Sequence, residues 1–309
     1  NFGSPATWKV DVSYERRVFE GLRLAASALY ARTTGNYQYF DRNLRDTAAF
    51  TLDHELGRSV FVPAATITAA GATSVRNAVK FPEFTNVLEL VSTGRATQRA
   101  FVIEGEYVPS VGGQLTAAFT WNRTTDNSTF NCCIARTASL FTPVKSDPRD
   151  ISGSKGSSDF DFSHKLSVYG ELPPWMGVRL GARYVGSTGR PFSLVVNGDI
   201  NGDGYSGNDL AFVFDPNDPT TPPSVAAAMQ GLLDNSESVA HDYLRRSVGR
   251  IADRNGAHAP WVGRMDVRAA LIVPVGSSRS VEITADIFNF ANLLNSDWGG
   301  PALLPQGLS

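Results

Sequence analysis

The sequence predicts an all-β protein, an antiparallel up-and-down transmembrane β-barrel present in part, with about ten strands. Three observations lead to that reading: period-two alternation of apolar and polar residues, strand lengths suited to a bilayer, and connections that alternate between short and long.

Composition sets the frame. The chain has 309 residues, of which 42% are hydrophobic and 19% charged. Soluble domains usually carry about 25% charged and 45–50% apolar residues. No stretch approaches the roughly 18 apolar residues that a spanning helix needs. Disorder, a coiled coil and a helical membrane bundle are excluded, whereas a barrel stays open because alternating strands escape hydropathy. A net charge of -2 leaves no basic footprint for nucleic acid. Only five of the 28 basic residues are lysine, and the arginine excess suits bidentate pairing with carboxylates in a wet lumen. The two cysteines, Cys132 and Cys133, are neighbours, so no disulfide framework exists. Asn1-Phe2-Gly3-Ser4 lacks the features of a signal peptide, and the strand pattern begins within a few residues. The chain therefore reads as a piece of a longer one.

Four hairpins carry the alternation. In the first, Trp8, Val10, Val12 and Tyr14 oppose Lys9, Asp11, Ser13, Glu15 and Arg17. After a turn at 19–21, Leu22, Leu24, Ala26, Ala28 and Tyr30 continue the apolar face. The second has Phe101, Ile103 and Tyr107 before a turn at 109–113, then Leu115, Ala117, Phe119 and Trp121. The third has Leu166, Val168 and Leu172, a turn at 173–177, then Val178, Leu180, Ala182 and Tyr184. The fourth has Met265, Val267, Ala269 and Leu271, a turn near 274–280, then Val281, Ile283, Ala285 and Ile287. These strands run roughly 9–12 residues, enough to cross a bilayer at a tilt, against about 5–6 in soluble sheets. Trp8, Tyr14, Tyr30, Tyr107, Trp121 and Tyr184 lie toward strand ends on the apolar parity, where interfacial girdles belong. Long connections at about 34–85, 124–163 and 187–263 are expected to be extracellular loops, and the short ones periplasmic turns. Ser224 to Leu233 suits a short surface helix, and Val60 to Leu90 is expected to add one or two strands.

The sharpest chemical motif runs from Asp199 to Asp209, DINGDGYSGND. It matches the opening of a calcium loop: Asp199, Asn201 and Asp203 supply side-chain oxygens, Gly204 makes the sharp turn, and Tyr205 offers its carbonyl. Asp209 is the closing acid, one position earlier than the bidentate Glu of an EF-hand, whose place Leu210 takes. A structural calcium stiffening an outer loop is one reading, and a plain Gly/Asn/Asp turn cluster is the other. Catalytic constellations are poor. His54, His164, His241 and His258 form no H-E-x-x-H, no G-x-S-x-G elbow or P-loop occurs, and Ser152 to Lys155 matches S-x-x-K without its companion motifs. His164 reads as a strand end. The polar-face charges Asp11, Glu15, Glu104, Glu106, Arg179, Arg183, Asp266, Arg268, Glu282 and Asp286 are expected to pair across strands rather than to bind a solute.

Phe160-Asp161-Phe162-Ser163-His164-Lys165-Leu166, a strand ending Glu171-Leu172-Pro173, Gly189-Arg190-Pro191-Phe192, the 197–204 segment, Arg264 to Arg268 and Glu282 to Asn292 occur in an order that resembles TonB-dependent outer-membrane receptors. The resemblance is to their C-terminal barrel, especially in receptors with a carboxypeptidase-regulatory-like N-terminal domain. It is carried mainly by residues 160–298. It implies a barrel of about 22 strands closed by a plug, placed in a Gram-negative outer membrane and driven by an inner-membrane TonB complex. On that resemblance residues 1–309 are a partial barrel without the plug. Its expected partners are outer-membrane lipid, the plug and remaining strands, the TonB complex and a small ligand. No transport residue is carried over, and no enzyme is expected. Two other readings stay open: a non-coupled outer-membrane porin or adhesin barrel, and a soluble calcium-binding β-sandwich recognising carbohydrate.

Overall fold

The computed structural model describes residues 3–127, 142–150, 155–295 and 298. Eight long strands form one antiparallel sheet: β1 (Ala6–Phe19), β2 (Leu22–Asp41), β3 (Leu88–Tyr107), β4 (Gln114–Asp126), β5 (His164–Glu171), β6 (Val178–Ser187), β7 (Val262–Val275) and β8 (Arg279–Ile287). Each pairs with its neighbours in chain order, and Gly156–Ser157 adds a short ninth strand beside the end of β4. This is the expected up-and-down meander. The barrel is not closed: β1 and β8 are the sheet edges, and every residue of both is exposed.

Register explains why alternation predicted the sheet. Val12, Ala28, Phe101 and Trp121 lie opposite one another in one row, and Tyr14, Ala26, Ile103, Phe119 and Leu166 in the next. The opposite face carries Arg23, Glu106, Thr116, Tyr169, Arg183 and Asp266 in a single row. Because side chains alternate strictly, one register keeps the two faces chemically separate across all strands. The apolar face stays open, with Ile103 49% and Ile283 60% exposed. An apolar band of that extent is what a lipid-facing wall requires. No described helix is long and apolar enough to cross a membrane.

The four short turns gather at one end of the sheet and the three long connections at the other, as the sequence predicts. The strand count differs in one place. The stretch from 60 to 90 adds no barrel strand of its own: Phe50–Leu52 and Arg58–Val60 form a small hairpin, followed by two 3-10 turns. Instead β2 and β3 run to 20 residues each and continue beyond the bilayer-crossing segment. Their alternation is broken by bulges between Thr34 and Gln38. Gly35 turns the chain at φ +74°, and a Cβ on Gly94 would stand 2.7 Å from that of Asn36. Each bulge resets which face a side chain meets, so the period-two signal ends there although pairing does not.

The packed cores lie among the loops, not in the sheet. Leu44, Val60, Phe61, Val62 and Ala78 form one cluster in the first long connection. Phe192, Leu194, Val213, Ala240, Tyr243, Leu244 and Ala252 form another in the third. The expected helix is present as α1 (Pro223–Asp234), opened by a proline where the first turn needs no amide donor. It contacts α2 (His241–Ser247), whose Tyr243 and Leu244 enter the second cluster.

Candidate functional site

After β6 the chain makes an outer hairpin. Val196 N donates to Asp209 O at 2.9 Å, and Ala211 N donates to Leu194 O at 2.9 Å. The tip of this hairpin is the acidic motif. All three long connections meet at it: Phe61 N donates to Asn201 O at 2.7 Å from the first, and Val144 N to Asn208 O at 2.8 Å from the second. Four of the five expected ligand residues, Asp199, Asn201, Asp203 and Asp209, are thereby held together. Asp203 accepts from Tyr205 N at 2.9 Å, from Asn208 Nδ2 at 3.1 Å and from Asn201 Nδ2 at 3.3 Å. Asp199 accepts from Gly204 N at 2.8 Å and Asp203 N at 3.1 Å. Asp209 Oδ2 accepts from Ile200 N at 2.8 Å and Asn201 N at 3.3 Å. Tyr205 is held there too through its amide, and its hydroxyl accepts from the Asn86 side chain, which ties the tip to the base of β3. A Cβ on Gly204, at φ +94°, would run into the Val75 side chain.

The cluster holds more negative charge than its neighbours balance. Burial, then Asp199 and Asp209, pushes the Asp203 carboxyl up to about 8. Burial pushes Asp209 up to about 6 and also raises Asp199. Among the described residues the cation paired with them is Arg58, itself fully buried, with Nη1 3.8 Å from Asp209 Oδ1 and Nη2 donating to Leu210 O at 2.6 Å. Asn208 Oδ1 and Asp209 Oδ1 are buried without a hydrogen-bond partner. Among the described residues, no three His, Cys, Asp or Glu side chains are arranged to hold a metal ion. The carboxylates are turned onto backbone amides instead. Asn208 and Arg58 were not among the expected site residues; Asn208 sits inside the motif, whereas nothing in the sequence near Arg58 announces a contact so distant along the chain.

The inner face of the sheet is a wall of paired charge. Arg23 meets Glu106 at 2.8 Å, Glu15 at 3.0 Å and Glu104 at 3.7 Å. Arg179 meets Glu282 at 2.8 Å, Arg268 meets Asp286 at 2.6 Å, and Arg264 meets Asp266 at 2.9 Å. Most of the expected luminal charges are thus engaged across or along strands. A cavity of about 410 Å³ lies against them, lined by Tyr169, Glu171, Arg179, Arg183, Arg268 and Glu282.

A family profile, the outer membrane beta barrel domain, matches residues 1–302. The chain belongs to that family. As an outer membrane beta barrel domain it resides in the outer membrane, its apolar face toward lipid. Its backbone is similar to the crystal structure of the outer membrane transporter YddB from Escherichia coli, with a TM-score of 0.50 and 9% identity. The similarity covers 94% of this chain and 29% of that one, and at that identity it speaks to fold alone. No curated protein matches the chain in sequence.

His164 and a grouping of Ser163, His258 and Asp161 are the remaining candidates. His164 opens β5, its ring stacked on Phe119 with centroids 6.0 Å apart. Ser163, His258 and Asp161 do come together unannounced by any sequence motif. Yet His258 Nε2 faces Ser163 Oγ at 3.1 Å and also the Asp161 carbonyl and carboxylate, at 2.8 and 3.8 Å. A nucleophilic relay needs its serine and its carboxylate on opposite ring nitrogens. The Asp161 carboxylate instead accepts from Thr124 N at 2.8 Å and Asn122 Nδ2 at 3.2 Å, fastening the second loop to β4. Of the S-x-x-K match only Lys155 is described, and Ser152, like Cys132 and Cys133, lies outside the described residues.

Proposed function

We propose that this domain is part of the wall of a TonB-dependent receptor, importing a small ligand across the outer membrane. The observation that carries the reading is the pair of unpaired edges on a wide, charge-lined sheet. Among the described residues the eight strands leave two open edges for further strands to cover, and a barrel widened by them would need a plug to remain selective. The ordered resemblance over 160–298 and the transporter fold of YddB support the same reading. The plug, the remaining strands and the TonB complex are its proposed partners. The test uses the complete outer-membrane protein in detergent and the purified periplasmic domain of TonB. Saturable binding between them is expected. Absence of binding, together with passage of neutral sugars through the reconstituted protein, would favour a non-coupled porin.

The acidic tip supports a second, separate proposal: a structural calcium held by Asp199, Asn201, Asp203, the Tyr205 carbonyl and Asp209. Its support is the uncompensated charge and the two orphaned oxygens of Asn208 and Asp209. Calorimetric titration of calcium into the protein should give heat that Asp203→Ala removes, and no heat in the parent ends the idea.

A further inference from the structure

Toward the extracellular rim the outer face turns from apolar to basic within two rows. Beyond the row of Val12, Ala28, Phe101 and Trp121 comes Val10, Tyr30, Arg99 and Arg123. Next come Trp8, Arg32, Thr97 and Thr125, and then Thr34 beside Arg95. Arg99 and Arg123 lie directly opposite each other on adjacent strands. Like charges so placed repel unless an anion lies between them. Among the described residues no carboxylate pairs with Arg32, Arg95, Arg99, Arg123 or Lys155, all of them exposed. They line one depression of about 900 Å³ together with Arg149. Two acidic residues share it, Asp126 and Asp150, and Asp126 is already paired with the buried Arg254. The inner face at the same height carries one charge of each sign, Lys9 and Asp11 on β1, and a polar network of Gln98, Asn122 and Thr124. The arginine cluster therefore lies on the side that meets lipid.

Depth identifies the occupant. Two residues along a strand span about 7 Å, so Arg99 stands about one headgroup above the Phe101 and Trp121 girdle. An amphiphile whose tails lie on the apolar band would bring its polar head to these arginines. We propose that this patch binds the phosphorylated headgroup of an outer-leaflet glycolipid, with phosphates between Arg99, Arg123, Arg32 and Arg95 and acyl chains over Phe101 and Trp121. Guanidinium groups suit this task, because each grips phosphate through two parallel donors. The proposal needs only the outer-membrane orientation, so it stands or falls apart from TonB coupling.

The test is binding to the complete protein, extracted from outer membranes in detergent and followed by native mass spectrometry. The probes are bisphosphorylated lipid A, a glycolipid of equal acylation without phosphate, and inorganic pyrophosphate. Bisphosphorylated lipid A should be retained in preference to the phosphate-free lipid. Arg99→Gln with Arg123→Gln should weaken that retention by about tenfold or more, while Arg99→Lys with Arg123→Lys keeps part of it. Lys165→Gln, in an inner-facing row, should change nothing, and unheated gel mobility reports that each variant is folded. Equal retention of both lipids, or full retention by the folded double Gln variant, would overturn the proposal. So would displacement of the lipid by pyrophosphate at equal concentration, which would assign the patch to a soluble anion.

Discussion

Asp161 and Asp203 are both buried carboxylates, yet they do opposite things. Asp161 is fully buried and holds the amide of Thr124 and the side chain of Asn122, so removing it orphans donors beneath a loop. Asp161→Ala should cost about 1–3 kcal/mol, and Asp161→Asn, which keeps one carbonyl oxygen, less; thermal unfolding in detergent checks both. Asp203 is a liability at neutral pH, because its folded value of about 8 stands well above the ordinary carboxylate range. The folded tip thus binds protons more tightly than the unfolded one. Its stabilisation is complete below about pH 4 and is lost as pH rises through about 6 for Asp209 and about 8 for Asp203. Without divalent cations, a fluorophore attached at Ser206→Cys, with Cys132 and Cys133 replaced by serine, should report growing mobility from pH 5 to pH 9. Asp203→Asn should flatten the upper part of that curve. If calcium is bound, adding it should abolish the rise. The motif itself was legible because its residues are contiguous. Arg58, which meets Asp209 across the fold, was not, since nothing in a sequence marks a contact between distant loops.

At the scale of elements, legibility follows periodicity. The four hairpins and the helix at Pro223–Asp234 come directly from pattern, because in each a single face meets a single environment over the whole element. Beyond Thr34 that condition fails. The bulges of β2 re-aim successive side chains, and β3 answers with Gly94 packed against Asn36. The outer parts of these twenty-residue strands consequently do not read as strand. Gly94→Ala should separate the two parts of this ribbon. A Cβ 2.7 Å from the Asn36 Cβ and 2.8 Å from its carbonyl oxygen forces the backbones apart. Faster hydrogen exchange is expected over 36–41 and 88–93, with no change below Thr34, where the register is continuous from Leu22. Loss of protection across the whole of β2 would mean that the outer extension supports the barrel wall rather than resting on it.

For the whole molecule, the usual arrangement of a globular protein is reversed. The sheet has apolar residues on its open face and ion pairs on the other, while the compact cores sit in the loops. Such a sheet is stable only where lipid replaces water on one side and an aqueous lumen bathes the other. That asymmetry yields a test in which neighbours in the chain behave oppositely. Ile103 lies on the outer face in the row of Phe119 and Leu166, and Val102 lies on the inner face opposite Ser27 and Thr120. Ile103→Arg places a charge in hydrocarbon and should cost about 2–4 kcal/mol. Val102→Arg places the same charge in the lumen, one row above Glu104 and on the same face, and should cost far less. Urea unfolding of the complete protein in lipid bilayers measures both. Equal costs would mean that the two faces share one environment, which a membrane wall cannot have and a soluble sandwich can.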